Sequence, residues 1–213
     1  GFLMLWRRYN RVLKQRNAAL RQSDTMVVES LGPQFVSLGE QLHQAREGHT
    51  ERLNAILQKK LSIFDKTLEG ITLGYRKGWA GDSLNEAVQQ AYPRDAERGS
   101  TGPGPHKADL HLSLHGTPAK ERLSRGEQKA MTAAMMIAQA QLICDSGEKP
   151  ILMLDDLSSE FDEEHVGRVL EAGIALGVQI WITGTELIPA ISALESSYTV
   201  FHVEHGGVST QTM

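Results

Sequence analysis

The chain has a single cysteine, Cys144, in 213 residues, so an internal disulfide is excluded and packing must hold the fold. That usage suits a reducing compartment, and a cytoplasmic location is the expectation. No apolar run approaches the roughly 20 residues needed to cross a bilayer, and the start lacks the pattern of a secretory signal, so no membrane partner is expected. Zinc-finger, RNA-binding and helix-turn-helix signatures are missing, which argues against sequence-specific reading of nucleic acid. The histidines, such as His111, His115 and His165, show no metal-ligand spacing. No G-x-x-x-x-G-K-[ST] occurs, so the loop that cradles the α- and β-phosphates of a nucleotide is not among these residues. Acids are missing from residues 7–21, where Arg7, Arg8, Arg11, Lys14, Arg16 and Arg21 stand, although the net charge is −4. A stretch of one sign points to a polyanionic partner. The chain also begins at Gly1, already inside a helical pattern, as a fragment would.

What is present divides in two. Residues 2–22 have the helical period, with Trp6, Tyr9, Leu13 and Leu20 near one face. Ser23 or Asp24 ends this helix or caps the next. A second helix is expected from Pro33 to about residue 68, with Leu38, Leu42, Ala45, Leu53, Leu57, Leu61 and Phe64 at three- and four-residue steps. Gly39 and Gly48 weaken it, and a break near Gly48 is possible. Two long amphipathic helices in succession suggest an arm folded as a hairpin.

From residue 71 the period changes. Strands are expected at 71–75 and 109–114, with a short helix at 83–90 ended by Pro93, and residues 99–105 as a loop. Further on the pattern is helix 127–145, buried strand 151–154, helix 163–176, buried strand 178–182, helix 186–194 and strand 198–203, with a last turn at Gly206-Gly207. Alternation of this kind argues for a mainly parallel sheet.

Two stretches carry chemistry. In Ser124-Arg125-Gly126-Glu127-Gln128 a loop tightens and opens a long apolar helix. Ser124 and the free N–H groups of a helix start can hold phosphate oxygens, aided by the helix dipole. The same residues also make a complete capping box without any ligand, Ser124 with Glu127 three residues on. The strand at 151–154 ends in Asp155 and Asp156, at the carboxyl edge where open α/β sheets bind ligands. Asp155 suits a hard cation; both acids could instead cap the next helix. Ser158-Ser159-Glu160-Phe161-Asp162 follows, and Asp162 could be an ordinary N-cap.

That order of loop, helix, strand, paired acids and a further Asp resembles the C-terminal half of an ABC-type ATPase. Within that superfamily Ser-Arg-Gly-Glu-Gln, the double Asp and Ser-Glu-Phe-Asp look like the RecF DNA-repair family; Arg125 stands where many ABC proteins have glycine. The resemblance implies an α/β fold: the C-terminal half of an ABC-type ATPase lobe over 71–213, a mainly parallel sheet with flanking helices, plus an α-helical arm over 1–70. It implies ATP and Mg²⁺ as cofactors. Ser124, Arg125, Gly126, Glu127 and Gln128 would bind nucleotide, and Asp162 would lie across a dimer interface. Thr183, where the superfamily usually has a switch histidine, would sense the γ-phosphate. Asp155 would orient Mg²⁺ through water, and Asp156 would orient or deprotonate the attacking water. Most relatives in the superfamily carry Glu there, so the shorter Asp implies slow hydrolysis.

The implied partners are gapped DNA or single-strand/double-strand junctions, a RecR-type mediator, RecA indirectly, and an ATP-dependent homodimer, in a repair and SOS-response setting. Arg7, Arg8, Arg11 and Lys14 would meet DNA phosphates without reading bases. Without a P-loop portion the fragment alone is expected to be inactive, and a weak ATPase only when joined to it. Two alternatives stand beside this reading: a non-enzymatic DNA- or partner-binding module, or a fragment of another SMC-like ATPase, whose arm would be a far longer coiled coil. Gly104-Pro105-His106-Lys107-Ala108-Asp109 also looks like a family segment, with no mechanism evident from its residues.

Overall fold

A computed structural model describes residues 1–192 and 198–212. The chain forms two compact units by packing: residues 1–59 with 69–123, and residues 60–68 with 124–213. The division at residue 70 is one of family resemblance; by packing, residues 69–123 go with the arm, and residues 60–68 go with the second unit.

The first unit begins with α1 (Phe2–Arg21) and α2 (Thr25–Gln58), which pack along each other. Asp24 caps α2 by accepting the N–H of Val27 at 3.1 Å. The helix therefore starts eight residues before Pro33, which lies inside it. A proline within a helix costs about 3 kcal/mol, and the neighbouring burial offsets it. Phe35, Leu38 and Leu42 join Tyr9, Val12, Leu84 and Val88 in one core, at about 1.5–3 kcal/mol per large side chain. No break occurs at Gly48. Gly39 is a packing device: a Cβ there would lie 2.5 Å from Leu84 Cδ2, so any other residue would make the buried Leu84 side chain shift. The helix ends at Gln58, ten residues short of the expected end, and a short helix α3 (Leu61–Phe64) and a 3₁₀ turn (Lys66–Leu68) follow.

Strand β1 (Ile71–Arg76) pairs antiparallel with β2 (Asp109–Leu114), which turns at His115-Gly116 to β3 (Thr117–Pro118). Between them lies α4 (Leu84–Arg98), capped by Ser83 and closed at a left-handed Gly99. It does not stop at Pro93. That proline is exposed, and the carbonyl it leaves unpaired belongs to exposed Gln89, where water can replace the lost bond. A one-turn helix, α5 (Ala119–Arg122), leads out of the unit.

The second unit is built on α6 (Arg125–Asp145), which starts two residues before the expected Glu127 because Ser124 is its N-cap. Its buried face is mostly small, including Ala130, Ala133, Ala134, Ala138 and Ala140, which allows neighbours to approach closely. Strand β4 (Ile151–Leu154) pairs in parallel with β5 (Gln179–Ile182). Between them run α7 (Leu157–Glu160) and α8 (Glu163–Ala175). Helix α8 meets the inner sheet face at Gly173, where a Cβ would sit 2.8 Å from Ile180 Cδ1. Parallel pairing is confined, among the described residues, to β4 and β5; β6 (Thr199–Glu204) and β7 (Gly207–Thr212) form an antiparallel hairpin.

Two expected buried strands are not buried. In β4 only Leu152 is inside, while Ile151 and Met153 are 56% and 76% exposed. In β5 Trp181 is exposed and stacks on Phe201 of β6, ring centroids 5.8 Å apart. The apolar runs suggested burial on both faces, but helices cover one face only. Of the helix expected over 186–194, α9 (Pro189–Ser192) is seen, and residues 193–194 lie outside the described residues.

Candidate functional site

Ser124 and Glu127 form a reciprocal capping box. The Ser124 Oγ accepts the Glu127 N–H at 3.3 Å, and a Glu127 carboxylate oxygen accepts the Ser124 N–H at 2.7 Å. Hydrogen bonds to the carboxylate from the Ser124 hydroxyl, then the Ser124 N–H, then the Thr67 side chain hold the Glu127 carboxyl below its usual range. The capping reading is thus realised. It leaves room for an anion: the first backbone bond onto the cap runs from Gln128 N–H to Ser124 O, so the N–H groups of Arg125 and Gly126 precede it and project from the helix end. Nothing lies within 4 Å of a Cβ built at Gly126, and Arg125 is exposed. A phosphate fits this corner, with the Arg125 and Gly126 N–H groups as its donors, while the Ser124 hydroxyl proton is given to Glu127.

The carboxylates at the end of β4 are joined by a residue of β5's end. The Thr183 hydroxyl donates to Asp155 Oδ1 and accepts the Asp156 N–H at 3.0 Å, while the Thr183 N–H bonds Leu154 O at 3.0 Å. Parallel register places Leu154 opposite Ile182, so the two strand ends deliver these three residues to one point. Asp156 sits at φ 48°, in the left-handed region that non-glycine residues seldom adopt. Its side chain makes no cap bond to α7, which discounts the capping alternative for that acid. With one oxygen of Asp155 engaged, the other remains for a water of a hydrated divalent cation, a fit to Mg²⁺ chemistry.

Asp162 is the N-cap of α8, accepting the His165 N–H at 2.9 Å. The His165 ring adds Nδ1 contacts at 2.9 and 3.0 Å to the two carboxylate oxygens. These interactions hold the Asp162 carboxyl below its ordinary range, the backbone hydrogen bond first and the ring second. The other Nε2 edge of His165 faces Asp65 at 3.9 Å. The positions of Asp65 and Thr67 beside this site were not legible in the sequence. For His165 one signal existed, its placement three residues after an N-cap acid.

Arg7, Arg8, Arg11 and Lys14 are all exposed on α1. At 100° per residue, Arg7, Arg11 and Lys14 form one stripe, with Arg8 beside it. Arg16 departs from that face. It is buried, donating to Thr101 Oγ1 at 2.6 Å and to Asp95 at 3.4 Å.

The segment 104–109 has a structural account. Gly104 N–H bonds Gly78 O, and Arg46 donates to Pro105 O at 2.6 Å. His106 bridges Tyr9 Oη at 2.7 Å and Thr101 O at 3.0 Å. A carbonyl only accepts, so Nε2 carries the proton and Nδ1 receives the tyrosine's. Burial lowers the His106 pKa and raises that of Tyr9.

No protein-family model matches the chain. It is 38% identical over 214 residues to the DNA replication and repair protein RecF of Xanthomonas axonopodis pv. citri and 35% identical over 216 residues to that of Cellvibrio japonicus. These matches cover 99% and 98% of this chain but 58% and 59% of the relatives' length. A solved structure of the recombination mediator protein RecF with ATP aligns with a TM-score of 0.80 over 99% of this chain and 58% of that one, at 21% identity. Its ATPγS counterpart aligns at 0.77. The shared fold is that of the C-terminal half of the RecF ABC-type ATPase with its helical arm. With fold and sequence agreeing across almost every residue, the chain belongs to the RecF family and corresponds to a C-terminal portion of its members.

Proposed function

We propose that this chain supplies the signature loop, the metal-orienting acid and the hydrolytic acid of an ATP-dependent DNA-binding protein of recombinational repair. The observation that carries the reading is the junction at the ends of β4 and β5, where one threonine hydroxyl holds Asp155 and the Asp156 backbone together. Mg²⁺, when bound with ATP, supplies charge neutralisation on the phosphates. Asp155 would hold the ion through its hydration shell, Asp156 would orient or take a proton from the attacking water, and the Thr183 hydroxyl would keep the two acids together. Ser124, the Arg125 and Gly126 N–H groups, Arg125 and Gln128 meet the phosphates of the nucleotide held by a second copy, with Asp162 beside that seam. The P-loop comes from the portion of the full-length protein that these residues do not contain. DNA meets the exposed stripe of α1 through its phosphates, at gaps or junctions, with RecR-type mediators and RecA downstream. Hydrolysis serves as a release switch in the cytoplasm.

Sedimentation of the full-length protein with and without ATP tests this, beside a Ser124→Arg variant. ATP should dimerise the parent and leave the variant monomeric. If ATP changes neither, the loop is only a helix cap. The complete Ser124–Glu127 box favours that second reading, a non-enzymatic module.

A further inference from the structure

Residues 60–68 belong by packing to the second unit, although both neighbours in the chain, Lys59 and Glu69, belong to the first. The segment is anchored by Leu61, Phe64 and Leu68, each 1% exposed or less. It touches both α6 and α8, the two helices whose first turns carry Ser124 and Asp162. Its polar groups run between those turns. Asp65 Oδ1 receives the Thr67 N–H and hydroxyl, each at 2.8 Å. The one Thr67 hydroxyl proton, given to Asp65 here, has Glu127, the partner of Ser124 in the capping box, as its alternative acceptor. On the other side Asp65 faces His165, which holds Asp162 through Nδ1. Arg168, one turn after Glu164, donates to Phe64 O and to Glu164. Burial alone would raise the Asp65 pKa, but the Thr67 hydrogen bonds and the charges of His165 and Arg168 outweigh it, so the acid stays ionised.

We propose that residues 60–68 form a brace that positions the Ser124 loop and Asp162 relative to each other, with Thr67, Asp65 and His165 as positioning residues. The geometry is a chain of side chains, Ser124–Glu127–Thr67–Asp65–His165–Asp162. Asp162 is held by the backbone and ring of His165, and Glu127 by Ser124, with the Thr67 hydroxyl proton shared between Glu127 and Asp65. A change at either first turn is therefore felt at the other through a segment three residues long. The functional part of this inference rests on the proposed phosphate-facing role of Ser124 and Asp162; the brace itself does not.

Hydrogen exchange in the full-length protein tests the brace without nucleotide. Thr67→Val keeps the side-chain volume and removes the hydroxyl, and Asp65→Asn keeps the shape and removes the charge. Both should speed exchange at the Ser124, Glu127 and His165 amides, and Thr67→Ser should restore the parent pattern. Acceleration confined to residues 65–68 overturns the brace. The same variants are then assayed for ATP-dependent dimerisation beside Ser124→Arg. The ATP concentration for half-maximal dimer should rise about tenfold in Thr67→Val, the range seen when a supporting side chain is removed, and return in Thr67→Ser. An ATP response lost in Ser124→Arg but unchanged in Thr67→Val overturns the brace's role and leaves the site reading standing. An ATP response unchanged in every variant overturns the site reading and the functional role together.

Discussion

At the scale of single residues, the point where β4 and β5 end carries the sharpest expectations. Asp156 holds a left-handed backbone at φ 48°, which asparagine tolerates, so Asp156→Asn removes the carboxylate without disturbing the turn. In the full-length protein its ATP turnover should fall about a hundredfold or more, as expected when a positioned acid or base is lost. Phosphate release at the parent rate would assign the chemistry to another group. Thr183→Val deletes both hydrogen bonds that join the acids. The Mg²⁺ concentration for half-maximal hydrolysis should rise about 10–100-fold, and an unshifted Mg²⁺ titration would separate Thr183 from the metal site. His106 is pinned neutral by burial, its pKa lowered from 6.5. A depressed histidine binds fewer protons folded than unfolded, so its contribution is present above pH 6.5 and is lost as pH falls below that value. Urea midpoints measured on either side of that pH should drop on the acid side, and less in His106→Gln; parallel profiles for both would sink the assignment.

At the scale of elements, α1 has two unlike faces. Its inner face buries Tyr9, Val12, Arg16, Ala19 and Leu20, while Arg7, Arg8, Arg11 and Lys14 stay exposed. Replacing those four by glutamine should lower the slope of log affinity against log salt for duplex DNA by roughly 3–4, about 0.9 per phosphate contact. An unchanged slope would remove α1 from the DNA interface. Arg16 belongs to the opposite test. Asp95→Ala strands a buried guanidinium that retains Thr101 as its neighbour, and breaking a buried pair costs about 3–5 kcal/mol. Denaturant unfolding should show that loss with DNA affinity intact. A shift under about 0.5 kcal/mol, the scale of a surface change, would mean that Arg16 finds water or another acceptor.

At the scale of the whole molecule, the face of β4 to β6 bearing Ile151, Met153, Trp181 and Phe201 is apolar and open. This chain spans 58% of the length of its curated relatives, and we propose that further residues of the full-length protein cover that face. With Trp6 and Trp79 replaced by phenylalanine, Trp181 emission should shift to shorter wavelength in the full-length protein relative to residues 1–213. Equal spectra would mean that those residues leave Trp181 and its face open.

Much was determined by local sequence, because local rules decide it. Ser124 with Glu127 three residues on, Ser83 and Asp162 all cap helices as their types predict, and the alternation at 109–114 is a strand. The order of loop, helix, strand and acids was sufficient to suggest the family. Tertiary packing decided the rest. Pro33 sits inside a helix because the burial of Phe35, Leu38 and Leu42 offsets a lost hydrogen bond, and Pro93 because the carbonyl it frees, on exposed Gln89, is open to water. Arg16 leaves the basic face because Asp95 and Thr101, nearly eighty residues or more away in the chain, complete its burial. Asp65 and Thr67 meet the first turns of α6 and α8 only because residues 60–68 pack with the second unit. Capping and periodicity act over three or four residues and can be read directly. A buried charge or a brace between helices depends on partners that only the folded chain brings together.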